Sequence, residues 1–215
     1  MSANLMSLAR SGGKFLKLFG DRKMVRTLPY DAEVEYLEST GTQYISTMLT
    51  PTRVHVGLKP IGAATPSYFD AYFGVNNSGS RTTGLYSDTK DTLIATNYNR
   101  NSVEFSALWG VFHNVCFDRD TVSVDGETKA FVTNFHETDD AVKSFGLFDF
   151  PQRGSGPTPK SAISYCKMLD GEDNLMADFI PVRVGDVGYM YDRVSGQLFG
   201  NSGTGAFVIG PGKTI

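Results

Sequence analysis

Cysteine is nearly absent from this chain: Cys116 and Cys166 are the only two in 215 residues, and no CxxC spacing occurs. Small oxidised scaffolds carry many more, so the pair reads as two reduced, largely buried thiols, with a cross-sheet disulfide as the alternative. Histidine is scarce too. His55, His113 and His136 stand apart with no HxH or HxxxH, which gives no metal-binding spacing and predicts three separate exposed histidines. There is no GxSxG nucleophile turn, no GxxxxGK[ST] phosphate loop and no EF-hand DxDxDG run. No segment approaches the roughly 18 apolar residues of a membrane span. Near the N-terminus, lysines and Gly12-Gly13 interrupt the apolar core that a signal peptide needs.

Net charge is low but unevenly spread. The chain carries −3 at pH 7, which gives no general attraction to nucleic acid. Residues 1–30 hold Arg10, Lys14, Lys17, Arg22, Lys23 and Arg26 against Asp21 alone, so a +5 arm precedes a −8 body. Residues 4–19 suit an amphipathic helix. Leu5, Leu8, Phe15, Leu16 and Phe19 fall on one face at 3.6-residue spacing, and Arg10, Lys14 and Lys17 on the other. Gly12 and Gly13 each cost about 1 kcal/mol against Ala, so the helix is weak alone. An exposed apolar stripe of this size predicts a docking arm that orders on a partner. A membrane-surface helix and a helix folded back on its own domain are the alternatives. Thr27–Tyr30 reads as a linker, because the residue before Pro29 is pushed toward extended geometry. The domain division is therefore 1–30, arm and linker, and 31–215, a single body.

Glycine (23 residues) and aromatics (12%) are plentiful, as many short strands joined by tight turns require. Strands are predicted at 44–50, 54–58, 68–75, 83–86, 93–98, 103–105, 111–117, 121–124, 127–131, 142–148, 163–169, 179–180, 187–191, 197–199 and 206–208. Pro60 is expected to stop the second, and Pro181 to lie at a strand edge or end. Asp125-Gly126 is a two-residue hairpin turn, since both residues tolerate positive φ. This many short strands without intervening helices predicts an all-β, two-sheet antiparallel sandwich and excludes a parallel α/β fold. The length suits a single domain with a sizeable core.

Two stretches carry a family likeness. Ser161–Phe207, SAISYCKMLDGEDNLMADFIPVRVGDVGYMYDRVSGQLFGNSGTGAF, resembles the C-terminal half of laminin-G-like, concanavalin A-type jelly rolls. Val34–Ile45, VEYLESTGTQYI, resembles their N-terminal signature, so the likeness spans Glu33 to Gly210. Such domains occur in bacterial surface proteins and phage structural proteins. The resemblance implies a jelly-roll form of the sandwich with a short N-terminal helical arm, and leaves activity open, because one fold hosts many functions. Relatives often hold calcium at the sandwich rim, where Asp88, Asp91, Asp118 and Asp120 could supply oxygens. Calcium takes 6–8 oxygen ligands, and the spacing here does not support it. The expectation is no cofactor and no metal, with Asp118-Arg119-Asp120 a salt-bridged turn.

Two constellations could carry chemistry or binding. Glu33, Glu35 and Glu38 spell ExExxE, close to the ExDxxE of laminarinase-type glucanases, which share the architecture. A retaining glycosidase needs two carboxyls about 5–5.5 Å apart. Period 2 places Glu33 and Glu35 on one face, Glu38 needs a bulge to join them, and the central aspartate is replaced. Solvated edge carboxylates and no catalytic residue are the expectation. Trp109, the only tryptophan, reads either as core or as a sugar-stacking platform. Together with Asn76, Asn77, Tyr98 and Asn99 it forms the candidate carbohydrate-binding set.

Three functional readings follow. The first is a non-enzymatic structural and adhesion module of a large assembly: a phage virion surface protein such as a capsid decoration, fibre or tail component. Its arm (Leu5, Leu8, Phe15, Leu16, Phe19) would anchor it to other virion proteins as a homo-oligomer, and host-surface glycans are the expected ligands. The second is a secreted or cell-surface bacterial carbohydrate-binding protein. The third is a glycoside hydrolase.

Overall fold

The computed structural model describes residues 28–62, 71–76, 82–87, 90–97, 101–118, 120–131, 144–149 and 159–214, and every regular element among them is a strand. In chain order these are β1 (Ala32–Glu33), β2 (Leu37–Ser39), β3 (Ile45–Ser46), β4 (Arg53–Gly62), β5 (Ala71–Asn76), β6 (Thr82–Tyr86), β7 (Thr92–Asn97), β8 (Asn101–Ser106) and β9 (His113–Asp118). They continue with β10 (Thr121–Val124), β11 (Glu127–Ala130), β12 (Gly146–Leu147), β13 (Lys160–Leu169), β14 (Leu175–Val184), β15 (Val187–Asp192), β16 (Gln197–Phe199) and β17 (Val208–Ile209). All pairings are antiparallel.

Two sheets result. The larger runs β11-β10-β9-β4-β13-β14-β15-β16, with β1, β2 and β17 inserted; the smaller runs β3-β12-β5-β6-β7-β8. Period-2 alternation explains how they meet. Val54, Val56 and Leu58 on β4, Val115 and Phe117 on β9, and Val122 and Val124 on β10 are buried in one cluster with Phe73, Leu85, Leu93, Phe105 and Leu147 of the smaller sheet. This is the layout of a two-sheet sandwich. The Asp125-Gly126 turn forms as expected, with φ of 50° and 89° between paired β10 and β11.

Both proline expectations fail, for one reason. Pro60 and Pro181 lie inside ten-residue strands. A residue's N–H and C=O point to the same side of an antiparallel strand. The Pro60 carbonyl accepts from Gly110 N at 2.7 Å, just past the last β4–β9 pair, Leu58↔His113. The Pro181 carbonyl accepts from Val34 N at 3.0 Å, where β14 has left β13 (Cys166↔Phe179) and is about to take up β1 (Glu33↔Val182). The missing N–H of Pro60 therefore faces the side where the β9 ladder has ended, and that of Pro181 the point where β13 gives way to β1, outside any continuous ladder.

That handover shapes the fold. β14 pairs with β13 only over Leu175–Phe179, and beyond it the two strands diverge. The N-terminal segment fills the fork as a V: β1 lies along β14, and β2 returns along β13. The C-terminal segment nests inside it. β17 pairs with β2, Gly210 N donates to Tyr36 O, Glu35 N to Pro211 O, and Lys213 N to Glu33 O.

A polar clasp locks the next turn. Buried Gln43 accepts from Thr40 N at 2.8 Å and donates through Nε2 to Thr204 O at 3.0 Å. Thr204 N donates to Thr42 O and Ser202 N to Tyr44 O. A Cβ on Gly203 would lie 2.1 Å from the Thr42 carbonyl oxygen, so only glycine permits this approach. The two family-like stretches are thus spatial partners. Gln43→Ala is expected to cost about 1–3 kcal/mol by stranding buried partners, and Gly203→Ala to destabilise through backbone displacement. Thermal melts check both; an unchanged midpoint for Gly203→Ala would mean that residues 201–205 do not dock on 41–44.

Candidate functional site

The segment joining the sheets between β8 and β9 is short and tied down at every step. Ala107 N donates to Asp91 O at 3.0 Å, Trp109 N to Asp91 Oδ1 at 3.0 Å, and Gly110 N to Pro60 O. His113 corrects the expectation of exposed histidines: it is 6% exposed, on the inner row of β9 with Val115 and Phe117. Its Nε2 donates to Leu108 O at 3.0 Å, and its Nδ1 lies 2.6 Å from Asp125 Oδ2. Both ring nitrogens thus lie within hydrogen-bond distance of an oxygen. Because β9 starts at His113 rather than Val111, the apolar residues before it stay outside: Leu108 is 63%, Val111 48% and Phe112 38% exposed.

Trp109 is half-buried. Its ring packs against Gly62, where a Cβ would come within 3.3 Å of Cζ3, and its buried indole N–H has no acceptor among the described residues. Asn76 closes β5 with its side chain outside the described residues, and Asn77, Tyr98 and Asn99 lie outside them altogether. The backbone of Asn76 is at one end of the smaller sheet, whereas Trp109 follows the opposite end of β8, roughly 17–20 Å of strand away. Leu5, Leu8, Phe15, Leu16 and Phe19 of the arm lie outside the described residues, as do His136, Asp88 and Arg119.

The glutamates split between the two limbs of the terminal V. Glu33 on β1 accepts from the Tyr30 hydroxyl at 3.3 Å and lies 3.8 Å from Lys213 Nζ; Glu35 is exposed at the turn, and Glu38 is on β2. Arg53 spans from β4 to Asp118 and Asp173, at 2.8 Å each; Arg119, the cation of the expected salt-bridged turn, lies outside the described residues. Among the described residues no group of three or more His, Cys, Asp or Glu could hold a metal.

Both cysteines are free. They flank β4 on opposite faces, with Cys166 in the core and Cys116 half-buried on the outer face, so no bridge can join them. Burial pushes both thiols up, and it pushes His55, whose Nε2 lies 3.7 Å from Cys116 Sγ, down. The dyad thus rests as neutral thiol and neutral imidazole, without an activated nucleophile.

Sequence reasoning missed two features. One is the Asp125–His113 pair, hidden because Asp125 was sufficiently explained as a turn residue. The other is Tyr165, which reaches from β13 across Gly57 of β4 to donate to Asn114 Oδ1 on β9 at 3.0 Å. No protein-family model matches the chain, and no curated protein matches it.

Asp125 offers a pH test. Burial alone would raise its carboxyl; the hydrogen bond to His113, the Asn114 amide at 2.8 Å and the imidazole charge outweigh that and hold it below the ordinary range. A depressed carboxyl adds stability above its unfolded value, and loses it as pH falls through the folded one. Asp125→Asn keeps a residue that tolerates the φ of 50°. It should therefore melt lower than wild type near neutral pH, with the gap closing in strong acid; a pH-independent gap would refute the ionic account.

Proposed function

We propose that the chain is a non-enzymatic structural and adhesion module of a large assembly, a laminin-G-like jelly roll at the surface of a phage virion. Its N-terminal arm anchors it to other virion proteins or to further copies of itself, and its body binds host glycans. The observation that carries this reading is where the arm joins the body. Asp31 is held by backbone and side chain, its N donating to Arg183 O and its Oδ2 accepting from Gly185 N at 2.6 Å. Tyr30 packs edge-on against Tyr191, with ring centroids 4.9 Å apart. The basic amphipathic segment therefore starts from a fixed point beside the zipped termini, a geometry suited to tethering a rigid body.

The jelly-roll reading is supported by the contact between the two family-like stretches, 34–45 and 161–207, where Thr204 N donates to Thr42 O and Ser202 N to Tyr44 O. The arm's apolar side chains would each contribute about 1.5–3 kcal/mol once a partner groove buries them. A secreted or cell-surface bacterial carbohydrate-binding protein is the alternative, decided by whether the protein co-purifies with assembled particles.

Deleting residues 1–26 is expected to leave the melting transition in place and abolish assembly. Phe15→Asp with Phe19→Asp should act alike, whereas Lys14→Gln with Lys17→Gln should mainly alter salt sensitivity. Normal particle occupancy by the truncated chain, read by sedimentation, would show that the arm is not the anchor. The purified protein is also expected to release no reducing ends from β-glucans; turnover lost in both Glu33→Gln and Glu38→Gln would make it a glycoside hydrolase instead.

A further inference from the structure

The outer face of the larger sheet is built around an interruption. On β13 the register slips between Ile163 and Tyr165, so Ser164 is an extra residue and Tyr165 comes opposite Gly57. A Cβ at position 57 would lie 2.2 Å from Ser164 Oγ and 2.7 Å from Tyr165 Cε1. Glycine therefore lets the tyrosine ring lie across β4, where its hydroxyl is pinned by Asn114. The ring stays half-exposed, and the Asn114 side-chain amide keeps its N–H groups toward solvent.

Cations stand on both sides of this ring. One step up β4, about 7 Å away, Lys59 holds its ammonium 4.2 Å from the centroid of Tyr36 and 5.2 Å from that of Phe112. One step down, Lys167 sits opposite His55. Neither lysine has a carboxylate within ion-pair distance among the described residues, whereas Arg53 at the end of the row is neutralised by Asp118 and Asp173. Glu38, across Ala162 from Lys59, makes no ion pair with it. Asp178, across from Lys167 on β14, is taken by Arg193 at 2.6 Å, so both lysine ammonium groups lack an ion-pair partner among the described residues, with Tyr165 between them and Tyr36 and Phe112 at one end.

We propose that this strip, centred on Tyr165 over Gly57 and bounded by Lys59 and Lys167, binds an acidic polysaccharide: a chain of sugar rings bearing carboxylates. It rests on the adhesion reading above and names its ligand class. Sugar C–H faces pack on aromatic rings, an amide such as that of Asn114 serves hydroxyls, and two ammonium groups, Lys59 on β4 and Lys167 on β13 beside His55, meet carboxylates on a chain laid along these two strands. The site is shallow, and many copies on one particle make it effective.

The test is affinity electrophoresis of the full-length chain through gels containing alginate, a neutral β-glucan or poly-glutamate at about 20 mM salt, where screening is weak. Alginate should retard the protein and the neutral glucan should not; poly-glutamate, which has charge but no sugar ring, should act far more weakly. Tyr165→Ala, and separately Lys59→Gln with Lys167→Gln, should each weaken alginate binding about tenfold or more. The lysine pair decides the matter if Tyr165→Ala lowers the melting point. No retardation by alginate, equal retardation by poly-glutamate, or undiminished binding by the lysine pair would each overturn the proposal. Particle association is scored separately: Phe15→Asp with Phe19→Asp should lose it while keeping alginate binding, so either reading can fail without the other.

Discussion

β13 and β14 share a ladder at one end and part at the other, and the architecture depends on what fills the gap between them. Left open, the fork would expose two rows of unpaired backbone groups beside the core, each costly to bury without a partner. Residues 32–39 satisfy both rows, one limb of their V on each strand, and residues 208–213 satisfy the V in turn. The central sheet is therefore completed by the two segments farthest apart in the sequence. Such closure raises contact order, and loss of residues 32–39 would leave residues 208–213 without their ladder.

The same arrangement explains which parts of the fold could be read from the chain. Period-2 alternation in β4, β9, β10 and β15, and the positive-φ pair Asp125-Gly126, depend on neighbours close in sequence, and they were legible. Pro60 and Pro181 were misread, because the usual rule assumes a strand with the same neighbour along its whole length. On the side each proline faces, neither strand has one: β9 leaves β4 after Leu58, and β13 leaves β14 at Phe179. A proline is harmless where the ladder changes partner, and that point is set by a segment more than a hundred residues away in the case of Pro181 and Val34.

The candidate site was less legible, again for identifiable reasons. Trp109 and Asn76 are alike as candidate sugar contacts, but the alternation of strand direction sets the end of β5 and the end of β8 at opposite ends of the smaller sheet. His113 looked isolated because its partners, Asp125 and the Leu108 carbonyl, belong to a hairpin turn and a loop without a spacing signature. Tyr165 gave one faint signal: a glycine at position 57 in the interior of an alternating strand often marks close approach by another chain segment. The bulge that brings Tyr165 to that glycine leaves no mark in the sequence.

The charge distribution gains meaning once these positions are known. An arm of +5 and a body of −8 would attract each other at long range, but the arm's anchoring power lies in five apolar side chains, whose burial is insensitive to screening. The strip around Tyr165 is the reverse: its aromatic contacts are few, and its two free ammonium groups act through a field that falls off within about 10 Å at 0.1 M salt. In the proposed reading, attachment to the particle is therefore robust to ionic strength, while attachment to an acidic glycan is weak, salt-tuned and dependent on copy number. Separation of the two by position, the arm's junction at Asp31 by the open end of the fork and the strip on the sheet face, lets each be altered without the other.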